Sequence, residues 1–176
     1  MKSALLVIDV QRALFEPAPA DADAVVERIN ALAQAARRAG AAVIFVQHET
    51  GHGALAAESE GWQLLPALQV AASDQRVRKT TPDAFLRTDL QARLHEQAIQ
   101  RVVMCGYASE FCVDTTVRRA AALGYAVTLA ADAHTTHDKP HAGAGQIRAH
   151  HNATLPGITS FGVRIEAVVA DQVRFG

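Results

Sequence analysis

Short runs of apolar residues with no polar alternation, each closed by polar or special residues, set the main constraint on this chain. Ala4-Leu5-Leu6-Val7-Ile8 ends at Asp9, Ala42-Val43-Ile44-Phe45-Val46 ends at Gln47 and His48, and Arg101-Val102-Val103-Met104-Cys105 ends at Gly106. A strand with one wet face alternates apolar and polar residues. A continuous run instead predicts a strand covered on both faces, as in a parallel sheet between two helical layers. Arg76-Val77-Arg78-Lys79 reads as a short third strand and Ala126-Val127-Thr128-Leu129-Ala130 as the fifth, with a last short strand expected between Ile158 and Ile165.

Helical patterns fill the gaps. Val25, Val26, Ile29, Leu32, Ala33 and Ala36 form an apolar stripe after the candidate N-caps Asp21 and Asp23, with Arg37 and Arg38 in the last turn and Gly40 as the stop. Further helices are expected after Asp89, from near Glu110 to Gly124, and from Gly145 to Leu155. The alternation predicts a three-layer, Rossmann-like α/β fold. It would hold a mostly parallel sheet of about six strands, helices on both faces and right-handed crossovers. With 176 residues and no linker, repeat or low-complexity tract, one domain over 1–176 is expected.

Composition excludes several function classes. Of the 176 residues 36 are alanine, so the 49% hydrophobic content overstates the burial on offer, and 5% aromatics is too few to staple an all-β sandwich. Seventeen basic against eighteen acidic residues leave a charge of −1 with no basic stripe, which argues against a nucleic-acid partner. No apolar run is long enough for a membrane span or a signal h-region, so a cytoplasmic location with no membrane partner is expected. Two cysteines, Cys105 and Cys112, make no disulfide framework.

In sheets of this type ligands bind beyond the carboxyl ends of the strands. Those ends carry Asp9 and Gln11, then Gln47 and His48, then Lys79, then the turn from Gly106 to Glu110 with Cys112 in the first turn of the next helix. A thiol at a helix N-terminus is expected to favour its thiolate, although a buried structural thiol is the commoner fate of cysteine, and Cys105 inside a strand reads as core filler. Asp9 directly after five apolar residues must be solvated, paired or used as a helix cap. Lys79 alone reads as a surface lysine. Taken together, the three supply a nucleophile, a base and an electrostatic partner.

These motifs carry a resemblance. Leu6-Val7-Ile8-Asp9-Val10-Gln11, Lys79-Thr80-Thr81-Pro82-Asp83-Ala84-Phe85, and Gly106-Tyr107-Ala108-Ser109-Glu110-Phe111-Cys112-Val113-Asp114-Thr115-Thr116 occur in that order. On them the chain resembles the isochorismatase-like cysteine hydrolase superfamily over essentially its whole length. The resemblance implies an Asp9-Lys79-Cys112 catalytic triad and a cis peptide at Ala108–Ser109. It also implies an oxyanion hole formed by the amides of Ser109 and Cys112. Family members that hydrolyse isochorismate, a vinyl ether, generally lack the cysteine, so its presence points to amide-type chemistry. The segment from Asp132 to Leu155 is similar, more loosely, to a subgroup that includes streptothricin hydrolases, which open a lactam.

The expected activity is therefore cleavage of a small amide, lactam or related C–N bond through a thioester on Cys112. Isochorismatase-type ether hydrolysis, a nicotinamidase and a catalytically silent binding protein are the alternatives. Nicotinamidases carry an aspartate and histidines after the second strand as a metal site. Here that stretch reads Gln47-His48-Glu49-Thr50-Gly51-His52, so no metal and no cofactor are expected. His134, His137, His141, His150 and His151 lack ligand spacing and read as polar surface or pocket-rim groups. Gln11, Phe15, His48, Trp62, Tyr107 and Phe111 are candidate substrate-binding residues, with core packing as the alternative for the aromatics. The partner expected is a small-molecule substrate. The family resemblance implies a homodimer or higher homo-oligomer, with the stretch from Thr50 to Ser73 as a lid or interface.

Overall fold

The computed structural model describes residues 1–176. Six strands form one fully parallel sheet: β1 (Ser3–Ile8), β2 (Ala42–His48), β3 (Gln75–Lys79), β4 (Arg101–Tyr107), β5 (Ala126–Thr135) and β6 (Ile165–Val168), in the spatial order β3-β2-β1-β4-β5-β6. Helices α1 (Ala22–Arg38), α2 (Leu90–Glu96), α3 (Asp114–Ala122) and α4 (Ala144–Thr154) connect them.

The unbroken apolar runs do what their pattern predicts. Along β1, Ala4, Leu6 and Ile8 join the core cluster that includes Leu90 and Leu94 of α2 and Val117, Ala120 and Ala121 of α3. Leu5 and Val7 point the other way and join the stripe of α1, Val25 to Ala36. Burying one such side chain stabilises by about 1.5–3 kcal/mol, and a strand that contributes to both layers gains on every residue.

Strand order reverses between β1 and β4: the chain builds outward through β2 and β3, then returns to the other side of β1. Such a switch point opens a crevice beyond the strand ends. The two strands touch there. Gly106 has φ +117°, and a Cβ on it would meet the Ile8 carbonyl oxygen at 2.1 Å. Gly106→Ala is expected to cost more than about 3 kcal/mol, because the clash is with backbone and the left-handed φ adds strain. A urea unfolding midpoint within error of the parent would reject that reading.

Several boundaries differ from the sequence expectation. β5 continues to Thr135 past a register irregularity opposite Met104 and Gly106, where Ala131-Asp132-Ala133 gives little strand signal. The last strand starts only at Ile165, paired along β5 from Val127. Asp21 and Asp89 occupy N-cap positions, but neither side chain caps its helix; they pair with Arg148 and Arg93 at 2.7 Å each. The second half of the 50–73 stretch is pinned rather than free: Gly61, Gln63 and Leu65 exchange backbone hydrogen bonds with Ala13, Arg12 and Val10.

Candidate active site

Asp9, Lys79 and Cys112 meet at the carboxyl ends of β1, β3 and β4. Asp9 follows Ile8 in a left-handed conformation (φ 50°), its amide donating to the Val46 carbonyl at 2.9 Å. Lys79 is the last residue of β3, and its side chain is fully buried. Its ammonium donates to Asp9 Oδ2 at 2.7 Å, to Cys112 Sγ at 3.3 Å, and lies 3.2 Å from His48 Nδ1. An ammonium has three N–H groups, and here three acceptors surround it. The surface-lysine reading is therefore wrong, and Asp9 is a buried ion-pair partner rather than a helix cap.

The neutral acceptor role fixes the His48 tautomer, with Nδ1 bare and the proton on Nε2. Burial first, and then the Lys79 charge, hold this imidazole below its ordinary pKa, which keeps the lone pair available.

Cys112 sits, as expected, in the first turn of the helical segment after β4: a single wide turn, Ser109–Val113, runs directly into α3. Its thiol is not pre-ionised. Burial, then the Asp9 carboxylate, push it up to about 12, and Lys79 pulls the other way. The resting nucleophile is S–H, so a base must take its proton as it attacks. Asp9 has the oxygen for it: Oδ1 is buried with no hydrogen-bond partner, while Oδ2 is held by Lys79. A raised pKa leaves the thiolate fraction growing tenfold per pH unit across the neutral range. Cys112 alkylation by iodoacetamide should accordingly rise continuously from pH 6 to 10. A plateau below pH 8 would show a pre-formed thiolate instead. Cys105, fully buried in β4, has its thiol pushed further up by burial alone and remains core filler.

The non-proline cis peptide lies at Tyr107–Ala108, one bond earlier than the expected Ala108–Ser109. β4 ends at Tyr107, so this bond stands where the strand passes into the turn Ser109–Val113. Within the turn, the amides of Phe111 and Val113 both donate to the Ala108 carbonyl at 3.1 Å.

The expected substrate-binding residues divide. Gln11 is a brace, with Nε2 donating to the carbonyls of His48 and Trp62 and Oε1 accepting from the His48 amide, all at 2.8–2.9 Å. Both amide protons are thus committed, and a substrate role is corrected to a structural one. Trp62 is buried under the Arg78 guanidinium, 5.2 Å from its ring centre. Phe15 packs on Tyr107, whose hydroxyl meets His137 Nδ1 at 2.9 Å. Phe111 is 54% exposed, with Lys139 over its ring.

His134, read from sequence as a surface or rim group, has no exposed surface at all; this is the main residue that sequence reasoning misplaced. His52 is exposed and His48 is engaged by Lys79, so the pair does not form the start of a ligand set. No three His, Cys, Asp or Glu side chains converge with metal-ligand geometry. A cavity of about 860 Å³ opens at the amino ends of the strands among Met1, His95, Tyr125 and Arg164, away from the triad.

The Isochorismatase domain family matches residues 3–155. Streptothricin hydrolase from Streptomyces noursei is 40% identical over 142 residues, covering 79% of this chain and 51% of that protein. The chain thus spans about half the length of that relative. Nicotinamidase 3 from Arabidopsis thaliana is 31% identical, with 76% of this chain and 73% of that protein covered. A crystal structure of an isochorismatase family protein superposes with a TM-score of 0.86 at 36% identity, covering 94% of this chain and 97% of that one. No helix is long and apolar enough to cross a membrane.

Proposed function

This chain belongs to the isochorismatase family, and from that premise we propose that it is a cysteine hydrolase of small amides, lactams or related C–N bonds. The observation that carries the reading is the buried triangle of Asp9 and Cys112 around one ammonium, at 2.7 and 3.3 Å. The curated relatives support the bond type, since by name they act on streptothricin and nicotinamide.

The reaction balances on these groups. As Sγ of Cys112 forms its bond to the substrate carbonyl carbon, the S–H proton passes to Asp9 Oδ1. The carbonyl oxygen becomes an anion. The family resemblance implies the amides of Ser109 and Cys112 as the site for this anion, and the Phe111 and Val113 amides of the same turn are committed to the Ala108 carbonyl. Collapse breaks the C–N bond, Asp9 returns the proton to the departing nitrogen, and an amine leaves behind a thioester. Water then attacks the thioester, giving a carboxylic acid and the free thiol. The Lys79 ammonium lies 2.7 Å from Asp9 Oδ2 and 3.3 Å from Cys112 Sγ, so a cation stands beside whichever partner carries the negative charge. No step calls for a metal.

The test is a screen of nicotinamide, pyrazinamide, carbamoyl compounds, lactams and isochorismate, with acid-quenched mass spectrometry of the protein. An acyl mass added to the Cys112 peptide with one or more of the C–N substrates is the expected result. Turnover of isochorismate with no covalent species would replace the thiol reading by ether hydrolysis.

A further inference from the structure

The proposed catalysis uses none of the side chains that tie the nucleophile turn to β5 and the segment after it. Ser109 and His134 are both completely buried. Ser109 Oγ lies 2.8 Å from His134 Nδ1, and His134 Nε2 lies 2.9 Å from Asn152 Oδ1. Asn152 Nδ2 in turn donates to the Ala131 carbonyl at 2.8 Å. That last bond fixes the direction of the chain. With its NH₂ on Ala131, Asn152 presents oxygen to His134, so Nε2 carries the imidazole proton and Nδ1 is a bare acceptor. The Ser109 hydroxyl must therefore donate to Nδ1, and the whole relay is satisfied without water.

The neighbouring residue is held from the same side. Glu110 Oε1 accepts from Thr136 Oγ1 at 2.8 Å and pairs with Lys139 at 3.2 Å. Consecutive turn residues are thus tied to the segment from His134 to Lys139, at the end of β5 and just beyond it. The Ser109 tie is the buried one, and it lies three residues before the nucleophile.

We propose that His134 is a positioning residue for acyl transfer, locking Ser109 through a one-way hydrogen-bond relay from Asn152 so that the turn's amides meet the forming oxyanion. The inference rests on the thiol reading of the site and adds to it a residue that never touches substrate. A misplacement of this kind by about 1 Å costs on the order of 10²-fold in rate. It should fall on the step that needs the oxyanion site and spare sulfur chemistry that does not. Burial first holds His134 well down, at about 4, with Asn152 and Asp132 opposing and Arg148 and His151 assisting the shift. The imidazole is therefore neutral around pH 7.

Two probes separate these roles. p-Nitrophenyl acetate acylates a thiol through a tetrahedral oxyanion, whereas iodoacetamide alkylates it by displacement at a saturated carbon. For His134→Leu and Ser109→Ala the acylation burst should slow by about 30- to 100-fold, with Cys112 alkylation within about threefold of the parent. His134→Asn keeps an acceptor facing Ser109 and should recover most of the burst. Equal loss of both rates together with a lowered melting temperature would reduce His134 to a packing role, and an unchanged burst in both variants would overturn the inference. If the parent protein gives no acyl adduct on Cys112 while His134→Leu still alters melting, the thiol reading itself fails and takes the inference with it. If His134→Leu does not fold, Ser109→Ala decides alone, because it removes the donor while leaving the histidine and Asn152 in place.

Discussion

Replacing Cys112 by alanine is expected to lower turnover by about 10⁴-fold or more, the usual cost of removing a nucleophile from a site that acts as a unit. The fold should survive. The sulfur is only partly packed against the core, and its loss takes one of three acceptors from Lys79 while the short bond to Asp9 remains. Unfolding by urea should therefore shift by no more than about 1 kcal/mol. The combination is the diagnostic: an intact cooperative transition with no acyl-enzyme. A burst of p-nitrophenol of normal amplitude from the alanine protein would mean that Cys105 or no thiol at all does the work.

Lys79→Met should be worse for the molecule than for the chemistry alone. The methionine fills much of the space but leaves Asp9, 1% exposed, as an uncompensated buried carboxylate. Removing one partner of such a pair costs about 3–5 kcal/mol. Rate loss should accompany it, since nothing then offsets charge passing between Asp9 and the sulfur. The double variant Asp9→Asn/Lys79→Met removes both charges and should regain a large part of the stability while staying inactive. If Lys79→Met unfolds at the parent's denaturant concentration, the ion pair is not the buried, interdependent unit that its geometry describes.

Much of this site was legible in the chain because strand runs end abruptly. Five apolar residues before Asp9 leave no place for a carboxylate except a strand end or a pair, and it has both. Lys79 was harder. The flanking arginines gave its strand a surface look, and only the pairing of His48 with Lys79 across β2 and β3 carries it inward. The helix start around Cys112 was legible, but the expectation of a thiolate there left out burial, which pushes this thiol up. His134 was hidden by its company. Thr135, Thr136, His137, Asp138 and Lys139 make a polar stretch, and Ala131-Asp132-Ala133 before it has weak strand propensity, so the continuation of β5 was not visible. The available signal was Asn152 in the following helix, an amide that can accept from an imidazole with its oxygen while its nitrogen donates to a carbonyl.

The lysine at the centre of the triad stands on an edge strand. β3 has five residues, pairs only with β2, and ends at Lys79 itself. Native proteins open in parts before they unfold as wholes, and outer strands with one neighbour open at the smallest free energy. Each such excursion would lift the ammonium away from Asp9 and Cys112 while β1 and β4 stay paired. The temperature or denaturant range over which this protein can act is thus governed by a sub-global equilibrium of one peripheral segment, and inactivation should run ahead of the collapse of the central sheet. Ligands that hold β3 closed would extend that range without adding a single contact to the core.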